Sequence, residues 1–331
     1  MGLDFWTNRN VFVTGATGLL GSAMVEQLTL QKARVTCLVR DHVARSRLMR
    51  PETFKQVNFV YGALEDFPLL VRAINEHEIN TVFHLGAQTI VGTAERSALS
   101  TFESNVRGTW NMLEACRQLH GLVERVIVAS SDKAYGDHAR VPYTEDLPPR
   151  GRFPYDASKA CAELVAMSYF HTYGVPLGIA RCGNLFGPGD LNFNRLIPGT
   201  IRSALSGQRP VIRSNGRYLR DYLYLRDAVR AYLTLAESLH EKGVLGEAFN
   251  FGNETPVSVL DVVQTILEIM GQTSLEAEIL DQASHEIRTQ YLDCRKARQT
   301  LNWQPQFTLR EGMEETVAWY RQELLRPCEE S

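Results

Sequence analysis

The sequence lacks any apolar run approaching the roughly 18 residues that a membrane-spanning helix requires. Residues 1–10 also lack the charged and then apolar pattern of a secretion signal. Neither sign of charge dominates, since 35 Lys and Arg residues face 38 Asp and Glu residues and the formal net charge is −3. No strong electrostatic field would therefore draw the chain to nucleic acid or to an anionic membrane. We expect a cytoplasmic protein that binds neither.

Cysteine is scarce and scattered, and no two cysteines form a Cys-x-x-Cys pair. The eight histidines show no clustering typical of metal ligands, so we expect no bound metal. Thiols spaced in this way are typical of a reducing compartment, where disulfides do not persist. The six cysteines are Cys37, Cys116, Cys161, Cys182, Cys294 and Cys328.

The first half of the chain alternates short apolar runs with helical patterns. We predict strands at residues 11–13, 35–39, 59–61, 81–85, 126–129 and 178–180, and helices at residues 19–30, 105–118 and 155–173. Nearly continuous apolar strands that alternate with helices indicate a parallel sheet covered on both faces. We therefore predict an α/β fold with a doubly wound parallel sheet of the Rossmann type over residues 1–183.

After about Arg181 the rhythm of strands and helices becomes irregular, starting with a glycine-rich loop at residues 183–190. We interpret residues 184–331 as a smaller C-terminal lobe that binds the substrate over the open end of the sheet. No linker separates the two parts, so the boundary is soft and some segments of the second part are expected to return to the first.

A glycine loop lies directly between the first predicted strand and the first helix, with the spacing Gly-x-x-Gly-x-x-Gly. Glycine there permits a tight turn and lets the backbone approach a pyrophosphate, which the helix N-terminus also attracts. The strand, loop and helix context favours a dinucleotide site over a purely structural turn. The residues expected to bind the cofactor here are Gly15, Thr17, Gly18, Leu19, Leu20 and Gly21.

The choice between NAD and NADP depends on the end of the second strand. An acidic residue there binds the ribose hydroxyls of NAD, whereas an arginine favours the 2′-phosphate of NADP. This chain has both, as Arg40 and Asp41, so both cofactors stay open. The alternative is that the two are solvated loop charges.

A second set of polar residues lies in two places, at the start of the predicted helix 155–173 and directly after the fifth strand. Tyr155 and Lys159 lie four apart and so share one helix face, where a lysine cation would lower the pKa of the phenol. Ser131 leaves the carboxyl end of the fifth strand, where ligands bind in such sheets, followed by Asp132 and Lys133. The alternatives are an incidental Tyr and Lys pair and an exposed turn.

Taken together, these motifs resemble those of extended short-chain dehydrogenase/reductases that act on nucleotide sugars. Within that group the chain is most similar to CDP-glucose 4,6-dehydratases, which carry Asp and Lys after the serine. The departures are Arg40 and residues 216–224, which look more like other branches of the superfamily, and Ala63 stands where related enzymes usually carry Asp. The matching segments include residues 84–87 (His-Leu-Gly-Ala), residues 220–222 (Arg-Asp-Tyr), Asp4-Phe5-Trp6, Ala162-Glu163-Leu164 and His285-Glu286.

The resemblance implies a reaction and a role for each catalytic residue. Tyr155, helped by Lys159 and Ser131, would deprotonate the sugar 4-hydroxyl while hydride passes to the nicotinamide. Lys133 would then remove the proton on carbon 5 and Asp132 would protonate the departing 6-hydroxyl. Hydride would return to carbon 6, so the bound NAD or NADP is recycled and the product is a 4-keto-6-deoxy sugar. An ion pair between Asp132 and Lys133 would defeat both roles.

The resemblance also implies binding residues and an assembly. We expect a homodimer formed through the helices at residues 105–118 and 155–173, with an apolar surface that includes Met112, Leu113, Leu164 and Met167. Further cofactor contacts are expected at Leu64, Leu85, Gly86, Ala87 and Asn105. Contacts with a nucleotide-diphosphate sugar are expected at Gln88, Asn184, Arg195, Leu196, Arg213, Arg220 and Arg288.

Two other functions are compatible with these motifs. A nucleotide-sugar 4-epimerase would use Tyr155, Lys159 and Ser131 but neither Asp132 nor Lys133. A non-catalytic regulator that binds the cofactor is the second alternative, because fold does not fix function. The sequence does not identify the nucleotide or the sugar.

Overall fold

The computed structural model describes residues 5–282 and 287–324. Asp4, His285, Glu286 and Cys328 lie outside these ranges. Within them the strands are β1 (Asn10–Thr14), β2 (Arg34–Val39), β3 (Val57–Tyr61), β4 (Thr81–His84), β5 (Arg125–Ser131), β6 (Leu177–Cys182), β7 (Asn184–Phe186), β8 (Val211–Ile212), β9 (Leu219–Arg220), β10 (Tyr222–Tyr224), β11 (Ala248–Phe251), β12 (Val257–Ser258), β13 (Glu278–Ile279) and β14 (Thr289–Gln290).

The α-helices within the same ranges follow the strands in a regular alternation through the first half. They are α1 (Leu19–Leu30), α2 (Pro51–Phe54), α3 (Phe67–Glu76), α4 (Val91–Arg96), α5 (Ala98–Phe102), α6 (Gly108–Gln118), α7 (Pro154–Tyr173), α8 (Leu196–Leu205), α9 (Leu225–Glu237), α10 (Val259–Met270), α11 (Arg295–Leu301) and α12 (Leu309–Leu324). None of the helices in the described part of the chain has the length and apolar character needed to cross a bilayer.

A seven-stranded parallel sheet forms the centre of the molecule, in the order β11-β6-β5-β4-β1-β2-β3. Its inner strands are buried on both faces, which explains their unbroken apolar runs. One core, on the side of α1 and α9, contains Met24 and Leu235; the other, on the side of α3, α6 and α7, contains Leu70 and Met112. The predicted doubly wound α/β fold is thus confirmed.

Strand β11 comes from the second half of the chain and closes one edge of this sheet beside β6. The apolar pattern does not reveal it, because the strand has four residues and places Asn250 at its centre. Asn250 is fully buried, and its side chain donates to Tyr143 O over 3.0 Å and to Asp293 O over 3.2 Å. These bonds satisfy a polar group that would otherwise be costly to bury.

The remaining elements form smaller sheets and a third core. Strands β12, β9 and β14 form one sheet, and β10 pairs with β7. Helices α8, α10 and α12 contribute Ile201, Ile266 and Met313 to a core of their own. Gln290 of β14 donates to the backbone oxygen of Asp132, so this part of the chain reaches the carboxyl end of β5.

Two details of the predicted helices differ from the structure. The helix predicted at residues 105–118 begins with a π-helical turn at Glu103–Arg107 and becomes α-helical only in α6. Met112 and Leu113 on α6 are fully buried in the core, so the expectation that they form a dimer surface is wrong. Leu164, in contrast, is 64% exposed.

Candidate active site

The glycine loop connects β1 to α1 with a backbone that only glycine accommodates. Gly15 has φ +66°, and a Cβ atom there would lie 2.8 Å from Gly86 Cα. A Cβ atom on Gly21 would lie 2.1 Å from Gly15 O. Helix α1 starts after Gly18 with no side-chain cap, so the N–H groups of its first turn point into the loop. This loop fits the pyrophosphate of a dinucleotide.

The segment after β4 is held against the glycine loop by buried hydrogen bonds. Thr14 Oγ1 accepts the N–H of Gly86 over 2.8 Å. Between Thr14 and Thr109 lies His84, whose ring nitrogens are 3.1 and 3.0 Å from the two hydroxyls. Burial lowers the pKa of His84 to about 3, with the charge of Lys159 acting in the same direction. His84 is therefore an uncharged structural bridge.

Asn105, expected to touch the cofactor, links this segment to α7, the helix that carries Tyr155 and Lys159. Its Oδ1 accepts the N–H of Gln88 over 2.7 Å, and its Nδ2 donates to Gln88 O over 3.0 Å and to Ser158 Oγ over 2.8 Å. Ser158 in turn donates to Tyr155 O. Leu64 packs beside Gly86 and Gly108, and Leu85 and Ala87 belong to the segment that Asn105 fixes.

Arg40 and Asp41 follow the end of β2 as expected and face each other. Arg40 Nε lies 2.7 Å from Asp41 Oδ2, and the two side chains are 62% and 64% exposed. The loop beyond them is tied to the glycine loop, because Ser46 Oγ donates to Thr17 O over 2.9 Å. Both charges thus stand where the second strand ends, next to the loop that fits the dinucleotide.

The residues after β5 assemble into a hydrogen-bonded group. Strand β5 ends at Ser131, and a 3₁₀ turn follows at Asp132–Tyr135. Ser131 Oγ lies 3.0 Å from Asp132 Oδ1, and it is also hydrogen-bonded to the Tyr155 hydroxyl. Ser131 therefore links Asp132 and Tyr155, two of the side chains that the sequence predicts to be catalytic.

Asp132 is buried, with 1% of its surface exposed. Its second oxygen, Oδ2, is buried and accepts no hydrogen bond from the described residues. Burial raises the pKa of this carboxyl, although Lys133, Ser131 and Arg220 oppose the shift. A carboxyl held toward its protonated form is suited to donate a proton.

Tyr155 and Lys159 lie on one face of α7, but their electrostatics differ from the expectation. Lys159 Nζ donates to Ala129 O over 2.9 Å, and burial lowers its pKa to about 8. Burial and the nearby Asp132 raise the pKa of Tyr155, and its hydrogen bond with Ser131 offsets only part of this. The predicted lowering of the Tyr155 pKa is wrong for the chain by itself, because desolvation of the phenol is the largest influence and raises the pKa.

The candidate substrate residues fall into two groups. Arg220 is buried in β9, where its Nη1 donates to Leu219 O over 2.9 Å, and its charge acts on Asp132. Arg195 pairs with Asp190 at 2.6 Å just before α8, which begins at Leu196, and Asn184 Nδ2 donates to Asp221 O over 3.2 Å. Arg213 and Arg288 are exposed, and Arg288 borders a cavity of ≈ 390 Å³ with Asp137, His138, Ala139, Val141 and Thr289.

Several residues at this site carry no signal in the sequence. Gln290 bonds both Asp132 and Lys133 although it lies more than 150 positions away. Asp156 is buried beside them, and burial raises its pKa to about 6. Glu163 and Arg181 form a buried ion pair. Of the two, only Glu163 belongs to a segment that carries the family resemblance. The described residues contain no group of three or more His, Cys, Asp and Glu side chains placed to hold a metal ion.

Known proteins share both sequence and fold with this chain. Residues 12–316 match the family described as GDP-mannose 4,6 dehydratase. A CDP-glucose 4,6-dehydratase from Salmonella typhimurium is 32% identical over 334 residues, which cover 96% of this chain and 92% of the relative. The dTDP-glucose 4,6-dehydratase DesIV from Streptomyces venezuelae, solved with NAD bound, is 28% identical with a TM-score of 0.85, covering 94% of this chain and 97% of its own.

Epimerases have the same fold. A UDP-glucose 4-epimerase from Thermotoga maritima, solved with UDP-glucose, is 28% identical with a TM-score of 0.86, covering 95% of this chain and 99% of its own. Fold alone therefore does not separate elimination from epimerisation. The side chains after β5 have to separate them.

Proposed function

The chain belongs to the GDP-mannose 4,6 dehydratase family, and from that premise we propose that it is an NAD(P)-dependent lyase that dehydrates a nucleoside-diphosphate hexose. The product is the corresponding 4-keto-6-deoxyhexose. One observation carries the proposal: Asp132 is buried beside Ser131 and Tyr155, and one of its carboxyl oxygens accepts no hydrogen bond from the described residues. Only an elimination needs this additional acid.

A tightly bound nicotinamide dinucleotide is the cofactor of this reaction. When bound, it would supply a hydride acceptor for carbon 4 of the sugar and a hydride donor for carbon 6. The glycine loop would hold its pyrophosphate on the N-terminus of α1, and Arg40 and Asp41 stand at the end of β2 for the adenosine ribose. Solved dehydratases with NAD bound support this assignment.

Tyr155 removes the proton of the 4-hydroxyl in the first step. Its raised pKa means that it requires added positive charge to become a base. Lys159, one turn further along α7, is the cation proposed to supply that charge, and it stays an ammonium only below its pKa of about 8. Ser131 holds the Tyr155 hydroxyl and is proposed to hydrogen-bond the reacting oxygen as well.

Water is lost between carbons 5 and 6. The ketone at carbon 4 acidifies the carbon 5 proton, and Lys133 takes that proton as an amine. Asp132 gives its proton to the 6-hydroxyl, which leaves as water. The proton held by Lys133 returns to carbon 5 once carbon 6 has received hydride. Burial of Asp132 favours the protonated form that this step consumes.

The diphosphate end of the substrate is proposed to meet the second half of the chain. Arginine supplies fixed, bidentate donors for phosphate oxygens. Arg220 and Arg195 are anchored by hydrogen bonds beside the end of the central sheet, whereas Arg213 and Arg288 are exposed and adaptable. Gln88, Asn184 and Leu196 are proposed to contact the sugar nucleotide between these arginines.

A 4-epimerase is the second candidate, favoured by the fold shared with the UDP-glucose 4-epimerase. It would use Tyr155, Lys159 and Ser131 and would leave the sugar's 6-hydroxyl in place. In that reaction the buried Asp132 would have no catalytic role. We therefore rank the dehydratase first.

The deciding experiment incubates the purified enzyme with CDP-, dTDP-, GDP- and UDP-hexoses and follows the products by mass spectrometry. The proposal expects one of them to lose water, with the absorbance of a 4-keto sugar appearing in alkali and no net consumption of cofactor. Tyr155→Phe is the matched inactive control. A product of unchanged mass with inverted configuration at carbon 4 would identify an epimerase instead.

We further propose that the enzyme is a cytoplasmic homodimer. Exposed apolar side chains support the dimer, since Leu99, Trp110 and Leu164 lie 74%, 43% and 64% exposed on α5, α6 and α7. Five cysteines in the described ranges are free thiols, as a reducing compartment would keep them.

A further inference from the structure

Gln290 is a fully buried side chain that touches both members of the proposed acid and base pair. Its Nε2 donates to the backbone oxygen of Asp132 over 2.8 Å. Its Oε1 accepts a hydrogen bond from Lys133 Nζ. A single amide thus fixes the backbone at Asp132 and the end of the Lys133 side chain.

The strand that pairs with the Gln290 strand also places a cation at the same spot. Strand β14 pairs in parallel with β9, and Gln290 is opposite Arg220 in the register. The charge of Arg220 acts on Asp132. The small sheet of the second half of the chain therefore delivers two side chains onto the 3₁₀ turn that follows β5.

A neutral amide suits a lysine that has to change its charge. An amide oxygen accepts a hydrogen bond from an ammonium and from an amine alike, because both carry N–H groups. A carboxylate in the same place would favour the ammonium and raise the lysine pKa. The amide can hold Nζ in one position through both halves of a proton transfer.

We propose that Gln290 is a positioning residue that holds Lys133 as the base for carbon 5 and leaves its charge free to change. The proposal rests on the dehydratase function proposed above. It assigns to β14 a part in the chemistry, which Gln290 exerts through Lys133 and Asp132.

Among the described residues, charges on three elements act on Lys133 or on its neighbour Asp132. Asp132 lies on its own turn and Asp156 on α7, and both interact with the lysine charge. Arg220 on β9 acts in the opposite sense through its proximity to Asp132. An extra carboxylate at position 290 would add to those of Asp132 and Asp156 and shift the balance toward the ammonium. Two phenols also face this group, those of Tyr143 and Tyr155.

The first test compares Gln290→Glu with Gln299→Glu, the same change at an exposed position of α11. The measurement is the pH dependence of kcat on the hexose that the wild type dehydrates. We expect the acid limb of the Gln290→Glu profile to move up by about 1 to 3 pH units, because an opposite charge beside Lys133 delays loss of its proton. Gln299→Glu should keep the wild-type profile. An unmoved limb in Gln290→Glu overturns the proposal.

The second test uses Gln290→Met, which keeps the side-chain length and removes the hydrogen bonds, so it also serves if Gln290→Glu does not fold. We expect kcat to fall about 10- to 100-fold at unchanged KM, because the variant loses its hydrogen bond with the Lys133 side chain. In a Lys133→Ala background, measured in single turnovers, the same change should cost clearly less, because only the hydrogen bond to the Asp132 backbone is then lost. An equal loss in both backgrounds would show a general structural role and overturn the proposal.

The activity of the wild type distinguishes failure of the proposed function from failure of the role given to Gln290. If it dehydrates no nucleotide hexose, the proposed function and the role of Gln290 fail together. If it does so and the Gln290 variants keep its pH profile and its kcat, only the role of Gln290 fails.

Discussion

Arg181 on β6 and Glu163 on α7 form a buried ion pair, with Arg181 Nε 3.0 Å from Glu163 Oε1 and 3.1 Å from Oε2. Their side chains are 7% and 3% exposed. Ser130 donates to the same carboxylate, and Arg181 also donates to the Tyr135 hydroxyl over 2.8 Å. The pair thereby links β5, β6 and α7 next to Ser131.

Breaking this pair should be costly, because one charge would remain buried without its partner. Arg181→Met is expected to lower the free energy of unfolding by about 3 to 5 kcal/mol in urea titrations. Arg226→Met, which removes an exposed partner of Glu315, should cost less than about 1 kcal/mol. Adding Glu163→Met to Arg181→Met should recover part of the loss. Equal losses for the buried and the exposed variant would contradict this assignment.

The proposed dimer is tested by Leu164→Glu, which puts a charge in the exposed apolar surface of α7. Burying an unpaired carboxylate in an interface is strongly unfavourable, so the variant should sediment as a monomer where the wild type sediments as a dimer. Leu30→Glu is the matched control, since Leu30 is 72% exposed at the end of α1. A wild type that sediments as a monomer at micromolar concentration would contradict the proposed homodimer.

Arg40→Ala should weaken NADP more than NAD. Losing a charged hydrogen bond to a phosphate costs about 1.5 to 3 kcal/mol, which is roughly 10- to 100-fold in affinity. Asp41→Ala should instead weaken NAD, because its carboxylate faces Arg40 where the ribose hydroxyls are expected. Equilibrium titration of cofactor-free enzyme measures both. Equal losses for the two cofactors in Arg40→Ala would show that Arg40 does not contact the 2′-phosphate.

Asp156 should make stability depend on pH. Burial raises its pKa to about 6 in the folded chain, whereas an unfolded aspartate titrates near about 4. The folded state therefore binds the proton more tightly, and the contribution of Asp156 to stability is lost as pH rises from about 4 through about 6. Across that window the free energy of unfolding of Asp156→Asn should rise relative to that of the wild type by an amount on the order of 2 kcal/mol. Thermal unfolding at several pH values measures the difference, and a constant difference would refute the shift.

The central sheet is predictable from sequence because each inner strand is buried on both faces and so reads as an unbroken apolar run. Helix α1 is predicted with its bounds, since the glycine loop marks its start. Strand β11 escapes prediction because it is short and its buried Asn250 is satisfied by residues distant in sequence. The exposure of Trp110 and the burial of Met112 on the same helix depend on packing that periodicity does not resolve.

Within the site, the sequence places residues that belong to local motifs. Ser131, Asp132 and Tyr155 come together as expected, because a strand end and a helix start are adjacent in this fold. Gln290 and Arg181 could not be predicted, since their partners come from other elements and no spacing rule links them. The raised pKa of Tyr155 likewise follows from burial, which the four-residue spacing to Lys159 does not reveal.

The central claim is that Asp132 protonates the departing 6-hydroxyl. Loss of a general acid typically costs about 100- to 10,000-fold in rate. Asp132→Asn should thus still oxidise carbon 4, so that reduced nicotinamide absorbance appears in a single turnover, while loss of water nearly stops. Tyr155→Phe should show no such absorbance, because the 4-hydroxyl keeps its proton.

The most direct test is a stopped-flow single turnover of Asp132→Asn that follows nicotinamide absorbance and, in quenched samples, the mass of the sugar nucleotide. The dehydratase account predicts that reduced cofactor accumulates while the substrate mass stays unchanged. Near-normal loss of water by Asp132→Asn, with Tyr155→Phe inactive, would contradict the role given to Asp132.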